Sequence, residues 1–240
     1  MTRFNIFSGA NQIQIRQVIK MKKENLKNLY ASLSMIVAFI LWTLALYFID
    51  VRAIGPHHSK VGFATMNAFI HNLTGTNMNL YNITDWLGLV PIAVMIGFAL
   101  LGLCQWINRR SLHKVDYSIF VLGGFYIVVM SVYILFEVLE VNYRPVLING
   151  YLEASYPSST TMLVMCVMPT AIMQFNSRIK SSSLRKFLSV LIIAFIVFMV
   201  VGRLISGVHW PSDIIGGLLI SAGLVLMYRF VATLKTPSAG

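Results

Sequence analysis

Charge is scarce in this chain. Only 11% of its 240 residues are Asp, Glu, Lys or Arg, against roughly a quarter in soluble domains. With 57% hydrophobic residues and a mean hydropathy of +0.74, its solvent is the bilayer and no separate soluble domain fits. Cysteine is nearly missing. Cys104 and Cys166 are the only two and both fall within apolar runs, so no disulfide framework is expected and each reads as a small buried hydrophobe. No small-residue cleavage pattern follows the polar leader, so the first apolar run is expected to stay in the mature chain. His57, His58 and His71 have no cysteine or carboxylate beside them at ligand spacing, which argues against a metal site, and no cofactor is expected. Basic and aromatic residues form no shared platform. Nucleic acid is therefore excluded as a partner, and the net charge of +11 needs another origin.

What is present is a series of apolar runs, several near the roughly 20 residues that cross a hydrocarbon core and the rest shorter. They predict an all-α polytopic membrane protein of six helices, over Leu29–Ile49, Trp86–Ile107, Tyr117–Phe136, Thr161–Phe175, Phe187–Val201 and Ile214–Tyr228. The fourth run is short and carries Pro169, which neighbouring helices can accommodate. The organisation expected is a basic segment at 1–28, a membrane domain at 29–231 and a tail at 232–240.

With the amino terminus in the cytoplasm, every Lys and Arg of the 19 except Arg52, Lys60, Arg144 and Arg203 falls on the inner side. The positive charge is thus an orientation signal, placing the protein in the plasma (cytoplasmic) membrane with the segment from Asp50 to Asp85 outside. Phe63, Met66, Phe69 and Ile70 stand near helical spacing in that segment, so part of it is expected to lie along the membrane surface.

Directly after the fifth run the chain reads Gly-Arg-Leu-Ile-Ser-Gly-Val-His-Trp-Pro-Ser-Asp, from Gly202 to Asp213. A guanidinium can hold a phosphate, an imidazole can attack it, and a carboxylate can fix the imidazole tautomer. The topology brings two more outside segments to the same membrane face: Glu137 to Pro145, ending Asn-Tyr-Arg-Pro, and Tyr156 to Thr161, reading Tyr-Pro-Ser-Ser-Thr-Thr.

With these three segments the chain resembles the type 2 phosphatidic acid phosphatase superfamily over roughly its last 125 residues. That superfamily shares three motifs: a Lys with Arg-Pro seven residues on; Pro-Ser-Gly-His; and Ser-Arg with His six residues after the Arg and Asp four after that. Arg144 and Pro145 match the end of the first, Pro157 and Ser158 the start of the second, and Arg203, His209 and Asp213 the third. The chain departs at Glu137 for lysine, Ser159 for glycine, Thr160 for the second-motif histidine and Gly202 for serine.

The resemblance implies a lipid phosphatase or phosphotransferase working through a phosphohistidine on His209, which Asp213 orients. Arg144, Arg203 and the residues Ser158, Ser159 and Thr160 at the amino end of the fourth helix cradle the phosphate. In the superfamily the second-motif histidine protonates the leaving oxygen, and Thr160 cannot, since its hydroxyl does not titrate near neutrality. Glu137, expected to pair with Arg144 or to donate a proton itself, is the candidate replacement. The substrate implied is a phospholipid or polyprenyl (pyro)phosphate in the bilayer, at the extracytoplasmic face. The alternative is a catalytically impaired membrane protein that binds or senses a lipid phosphate. Oligomeric state is left open.

Overall fold

The protein was analysed as a computed structural model, which describes residues 3–234 and the side chains at 16 and from 19 onward. The tail residues 235–240 lie outside the described residues. Eight α-helices are found among them: α1 (Arg3–Phe48), α2 (Ala64–Thr74), α3 (Met78–Leu87), α4 (Leu89–Arg109), α5 (Tyr117–Leu139), α6 (Ser159–Arg178), α7 (Ser182–Ile205) and α8 (Pro211–Thr233).

In lipid a chain must satisfy its own backbone groups, and a helix does so within one segment. Among the described residues five stretches are long and apolar enough to cross a membrane: Ile19–Phe48, Met78–Arg109, Tyr117–Leu139, Ser182–Ile205 and Pro211–Thr233. The chain is an integral membrane protein. The sixth expected span differs from the rest, because α6 has 20 residues but is not apolar enough to be counted with the five. Its position explains why. It packs against α4, α5, α7 and α8, burying Thr160, Thr161, Thr170 and Gln174, so its polar residues face protein instead of hydrocarbon. The helix continues through Pro169, and the Thr170 hydroxyl beside it donates to the carbonyls of Val167 (2.8 Å) and Cys166 (3.0 Å).

Two element boundaries fall elsewhere than expected. The helix that holds the first expected span starts far before Leu29 and runs through the basic residues: α1 is one helix of 46 residues, because no glycine or proline interrupts the chain between Ala10 and Phe48. The second span begins well before Trp86, with α3 leading into α4 through a turn at Gly88. Before it, α2 lies against α8 and holds Met66, Phe69 and Ile70 of the 50–85 segment at helical spacing, with Phe63 just before its first turn.

The bundle is tied at both ends. At one, α1 hydrogen-bonds to α8 through Trp42 Nε1 to the Ser212 carbonyl (3.1 Å). At the other, the Asp116 carboxylate before α5 takes Arg109 of α4 and Arg178 of α6, each at 2.8 Å, and Gln105 at 2.9 Å. Arg178 also reaches Gln174, which in turn bonds Tyr228 of α8 (3.0 and 2.6 Å). Those bonds pull the Asp116 carboxyl down to about 2, the Arg109 bond first and the Arg178 and Gln105 bonds with it, against burial, which pushes the other way.

Candidate active site

The carboxyl ends of α5 and α7 and the amino ends of α6 and α8 meet at the end of the bundle opposite Asp116. Two connections build the site there. Between α5 and α6 the chain folds back on itself, with Tyr143 bridging Ala154, Arg144 N donating to the Glu153 carbonyl (3.1 Å) and Ser155 N to the Asn142 carbonyl (2.8 Å). This pairing sets Arg144 opposite Glu153 and Ser155 opposite Asn142, with all four on one face of the fold-back. Between α7 and α8 the chain turns at Gly207, whose φ of +65° and whose missing Cβ, 1.8 Å from the Gly75 carbonyl oxygen had it been present, require glycine. The turn delivers His209 between Arg144 and Ser155.

His209 is 2% exposed. Its Nε2 lies 3.1 Å from Arg144 Nη1 and its Nδ1 3.2 Å from Ser155 Oγ. A guanidinium only donates, so Nε2 is the acceptor and the proton sits on Nδ1, an assignment that follows from the hydrogen-bond network. Burial holds the imidazole well below the usual histidine range, and the charges of Arg144 and Arg203 add to this. The ring is neutral at pH 7, with its nucleophilic lone pair on Nε2.

Asp213 does not touch that ring: its Oδ2 is 4.0 Å from Nδ1, where a direct hydrogen bond was expected. As the third residue of α8 it accepts instead from Trp210 N at Oδ2 (2.9 Å) and from Asn142 Nδ2 at Oδ1 (3.0 Å), and the Ser155 hydroxyl also donates to Oδ2. Capping α8 thus occupies the carboxylate.

Arg203, in the last turn of α7, is 1% exposed. Its Nη2 donates to Thr160 Oγ1 (2.6 Å) and pairs with Asp85 Oδ1 (3.1 Å). Its Cζ stands 4.8 Å from the centre of the Tyr81 ring, and Arg144 lies 5.7 Å from the same ring. One aromatic face therefore helps hold two like charges close together.

The amino end of α6 is open for an anion. Ser158 occupies its cap position without bonding the helix through its side chain, and the buried hydroxyls of Ser158 and Thr161 have no hydrogen-bond partner among the described residues. Nor do Arg203 Nε and Arg144 Nε have an aligned acceptor, although Glu153 Oε2 lies 3.0 Å from the latter. A narrow cleft leads in, lined by Glu137, Ser159, Met162, Tyr133 and His209.

The expected residues Arg144, Ser158, Ser159, Thr160, Arg203, His209 and Asp213 are thus brought to one place, and Glu137 stands on the cleft wall. Glu137 does not pair with Arg144, whose carboxylate partner is Glu153. Glu140 accepts from the Tyr143 hydroxyl (2.9 Å). Sequence reasoning missed Tyr81, Asp85, Asn142, Glu153 and Ser155. Only Asp85, an ionisable residue at the edge of a span, carried a signal. Among the described residues no three His, Cys, Asp or Glu side chains group as metal ligands.

Tyr156 walls the site from behind. Its ring stacks on Phe39 (6.1 Å) and meets Phe136 edge-on (5.9 Å), and its hydroxyl, whose pKa burial pushes up, bonds Thr43 of α1 (2.7 Å). On the α8 side, a Cβ at Gly216 would stand 2.4 Å from that ring.

The sequence model of the PAP2 superfamily matches residues 137–235, the stretch that holds all three motifs. Among solved structures the chain is similar to the first transmembrane PAP2 type phosphatidylglycerolphosphate phosphatase from Bacillus subtilis, with a TM-score of 0.56 and 16% identity over 83% of this chain and 94% of that one. At that identity the likeness is one of fold. No curated protein is matched.

Proposed function

With residues 137–235 matching the PAP2 superfamily as the premise, we propose that the protein is a membrane lipid phosphatase or phosphotransferase acting through a phosphohistidine on His209. The single observation that carries this reading is the pair of contacts on His209, Arg144 at Nε2 and Ser155 at Nδ1. They leave the attacking nitrogen unprotonated and next to a phosphate-binding guanidinium.

In the proposed reaction Arg144 swings from Nε2 to a phosphate oxygen, uncovering the lone pair it had held. Arg203 and the backbone N–H groups at the start of α6 take other oxygens, with the Ser158 and Thr161 hydroxyls positioned to join them. Nε2 attacks phosphorus, the bond to the leaving oxygen breaks, and that oxygen takes a proton. Thr160 cannot supply it, since a hydroxyl does not titrate near neutrality; its oxygen accepts from Arg203 instead. Glu137, on the wall of the same cleft, is the proposed donor. Water or an acceptor alcohol then attacks phosphorus, the Nε2–phosphorus bond breaks to free His209, and the proton of the attacking oxygen passes to Glu137.

The substrate class is a phospholipid or polyprenyl (pyro)phosphate. A phospholipid monoester comes first, because the similar Bacillus subtilis protein is a phosphatidylglycerolphosphate phosphatase. The distribution of Lys and Arg supports a plasma-membrane protein with a cytoplasmic amino terminus and an extracytoplasmic site.

Phosphate release from a panel of lipid phosphates by the purified protein is the test, and His209→Ala is expected to lower it by about 10⁴-fold or more. Release undiminished in the variant would end the phosphohistidine mechanism. One observation favours a second reading, a lipid-phosphate binding protein: Thr160, standing where the superfamily has its histidine acid, is committed to Arg203. Binding of phosphate analogues that depends on Arg203, with no release from any lipid by the wild type, would select it.

A further inference from the structure

The gap between Asp213 and His209 is filled by one hydroxyl. Ser155 Oγ is 3.2 Å from His209 Nδ1 and hydrogen-bonded to Asp213 Oδ2, while Oδ2 itself stops 4.0 Å from Nδ1. We propose that Ser155 is a positioning residue that transmits the hold of Asp213 to the nucleophile, so that the working unit is a relay of Asp213, Ser155 and His209 and no direct aspartate–histidine pair forms. This deepens the phosphohistidine reading and rests on it.

Proton bookkeeping supports the relay from both ends. Asp213 receives the Trp210 backbone N–H and the Asn142 side-chain amide, so it acts as an acceptor and the Ser155 hydroxyl must donate to it. With its one proton committed, Ser155 Oγ offers a lone pair to Nδ1, and Nδ1 must carry the imidazole proton. At the far side of the ring, Arg144 can only donate, so Nε2 must be proton-free. The two ends require the same tautomer independently, and it is the one that attacks through Nε2. When the Nε2–phosphorus bond forms, the positive charge that develops on the ring is met by the Ser155 hydroxyl oxygen at Nδ1–H and, through it, by the Asp213 carboxylate.

Ser155 is held for this role. It is 3% exposed, its N–H is bonded to the Asn142 carbonyl, and the Asn142 side chain grips the other Asp213 oxygen. The connection that carries Arg144 is therefore latched to the first turn of α8, and both partners of the imidazole come from that one connection.

The test uses the full-length protein purified in detergent. Ser155→Ala is expected to lower kcat for phosphate release about 10- to 100-fold with KM unchanged, the usual size of effect for a partner behind a working imidazole. Ser155→Thr, which keeps the hydroxyl, is expected to recover most of the loss. In ¹⁵N-histidine-labelled protein, with the His209 signal assigned by its disappearance in His209→Gln, the Nδ1–H proton is expected far downfield and protected from exchange in wild type and in Ser155→Thr. It is expected to lose both properties in Ser155→Ala. A Nδ1–H signal unchanged in Ser155→Ala overturns the relay, whether or not kcat falls, because a merely structural serine would leave the ring's hydrogen bond in place. Should Ser155→Ala fail to fold, Ser155→Cys, close in size but a weak hydrogen-bonder, takes its place with the same expectations. A wild type that releases no phosphate from any lipid sinks the catalytic reading, and the proton signal still decides the relay separately.

Discussion

The Asp116 end and the His209 end of the bundle are both polar clusters tying several helices together, yet they treat their hydrogen bonds in opposite ways. Around Asp116 the charges are matched and the donors used: one carboxylate receives two arginines and a glutamine, and the second arginine passes on through Gln174 to Tyr228. Around His209, Arg144 and Arg203 each have one carboxylate, Glu153 and Asp85, and share one tyrosine face, yet among the described residues the buried Asn142 Oδ1, Ser158 Oγ, Thr161 Oγ1 and Arg203 Nε have no hydrogen-bond partner and Arg144 Nε has no aligned one. An unmatched buried polar group costs about 1–3 kcal/mol. Several such groups together at one end, with their counterparts matched at the other, support the phosphate cradle proposed above. An oxyanion with several acceptor oxygens and a charge opposite to Arg144 and Arg203 fits the donors among them.

The comparison can be broken by exchanging what each end is asked to do. Arg203→Lys, which keeps a charge but loses the fork, is expected to lower phosphate release about 100-fold or more while moving Tm little. Its counterpart at the other end, Arg178→Ala, is expected to lower Tm by about 3 °C and to leave release per folded molecule unchanged. Thermal unfolding and phosphate release on the same preparations decide this, and a large activity loss in Arg178→Ala would erase the distinction between the ends. Glu137→Gln sharpens the comparison within the His209 end: if Glu137 is the proton donor, turnover falls about 100-fold with lipid binding intact. If it only repels phosphate, binding tightens instead.

The smallest expected effect is at Asp116. Its folded pKa of about 2 lies below the ordinary carboxyl value, so its contribution is complete above about pH 4 and is lost as pH falls toward 2. With its side chain 34% exposed, solvent screening reduces that contribution to about 1 kcal/mol. Asp116→Asn is expected to flatten this part of the Tm-against-pH curve, and an unaltered acid slope would show that the network is not what loses stability there.

Much of this was legible in the order of residues, for physical reasons that also mark the limit. Lipid imposes length and apolarity on any helix it touches, so α1, α4, α5, α7 and α8 announce themselves, while α6, shielded by its neighbours, carries threonines and a glutamine and shows only as a shorter run, Thr161–Phe175. The spacing of Arg203, His209 and Asp213 survives as a local pattern because one turn and one helix start carry all of it. The similarity to the PAP2 superfamily read from those residues is borne out over residues 137–235. Ser155 was invisible, because its role depends on a fold-back between α5 and α6 that brings it to His209 across 54 positions. Tyr81 was hidden for a similar reason, and Asp85, though ionisable at a span edge, gave no hint of its partner: both reach Arg203 only because α3 starts well before the apolar run does.

The contact of Tyr156 with Gly216 has an outcome for anyone surveying variants of this chain. Phe39, Phe136 and Thr43 fix the tyrosine on its other sides, so a single methyl at position 216 has nowhere to go except through the ring, and the ring is bonded in sequence to Ser155. A saturation screen scored on function would therefore flag position 216 beside His209, although hydrogen is all that glycine contributes there. Intolerance at this position would report clearance and not chemistry, and a tolerant replacement would have to be sought as a pair, with a smaller residue at 156.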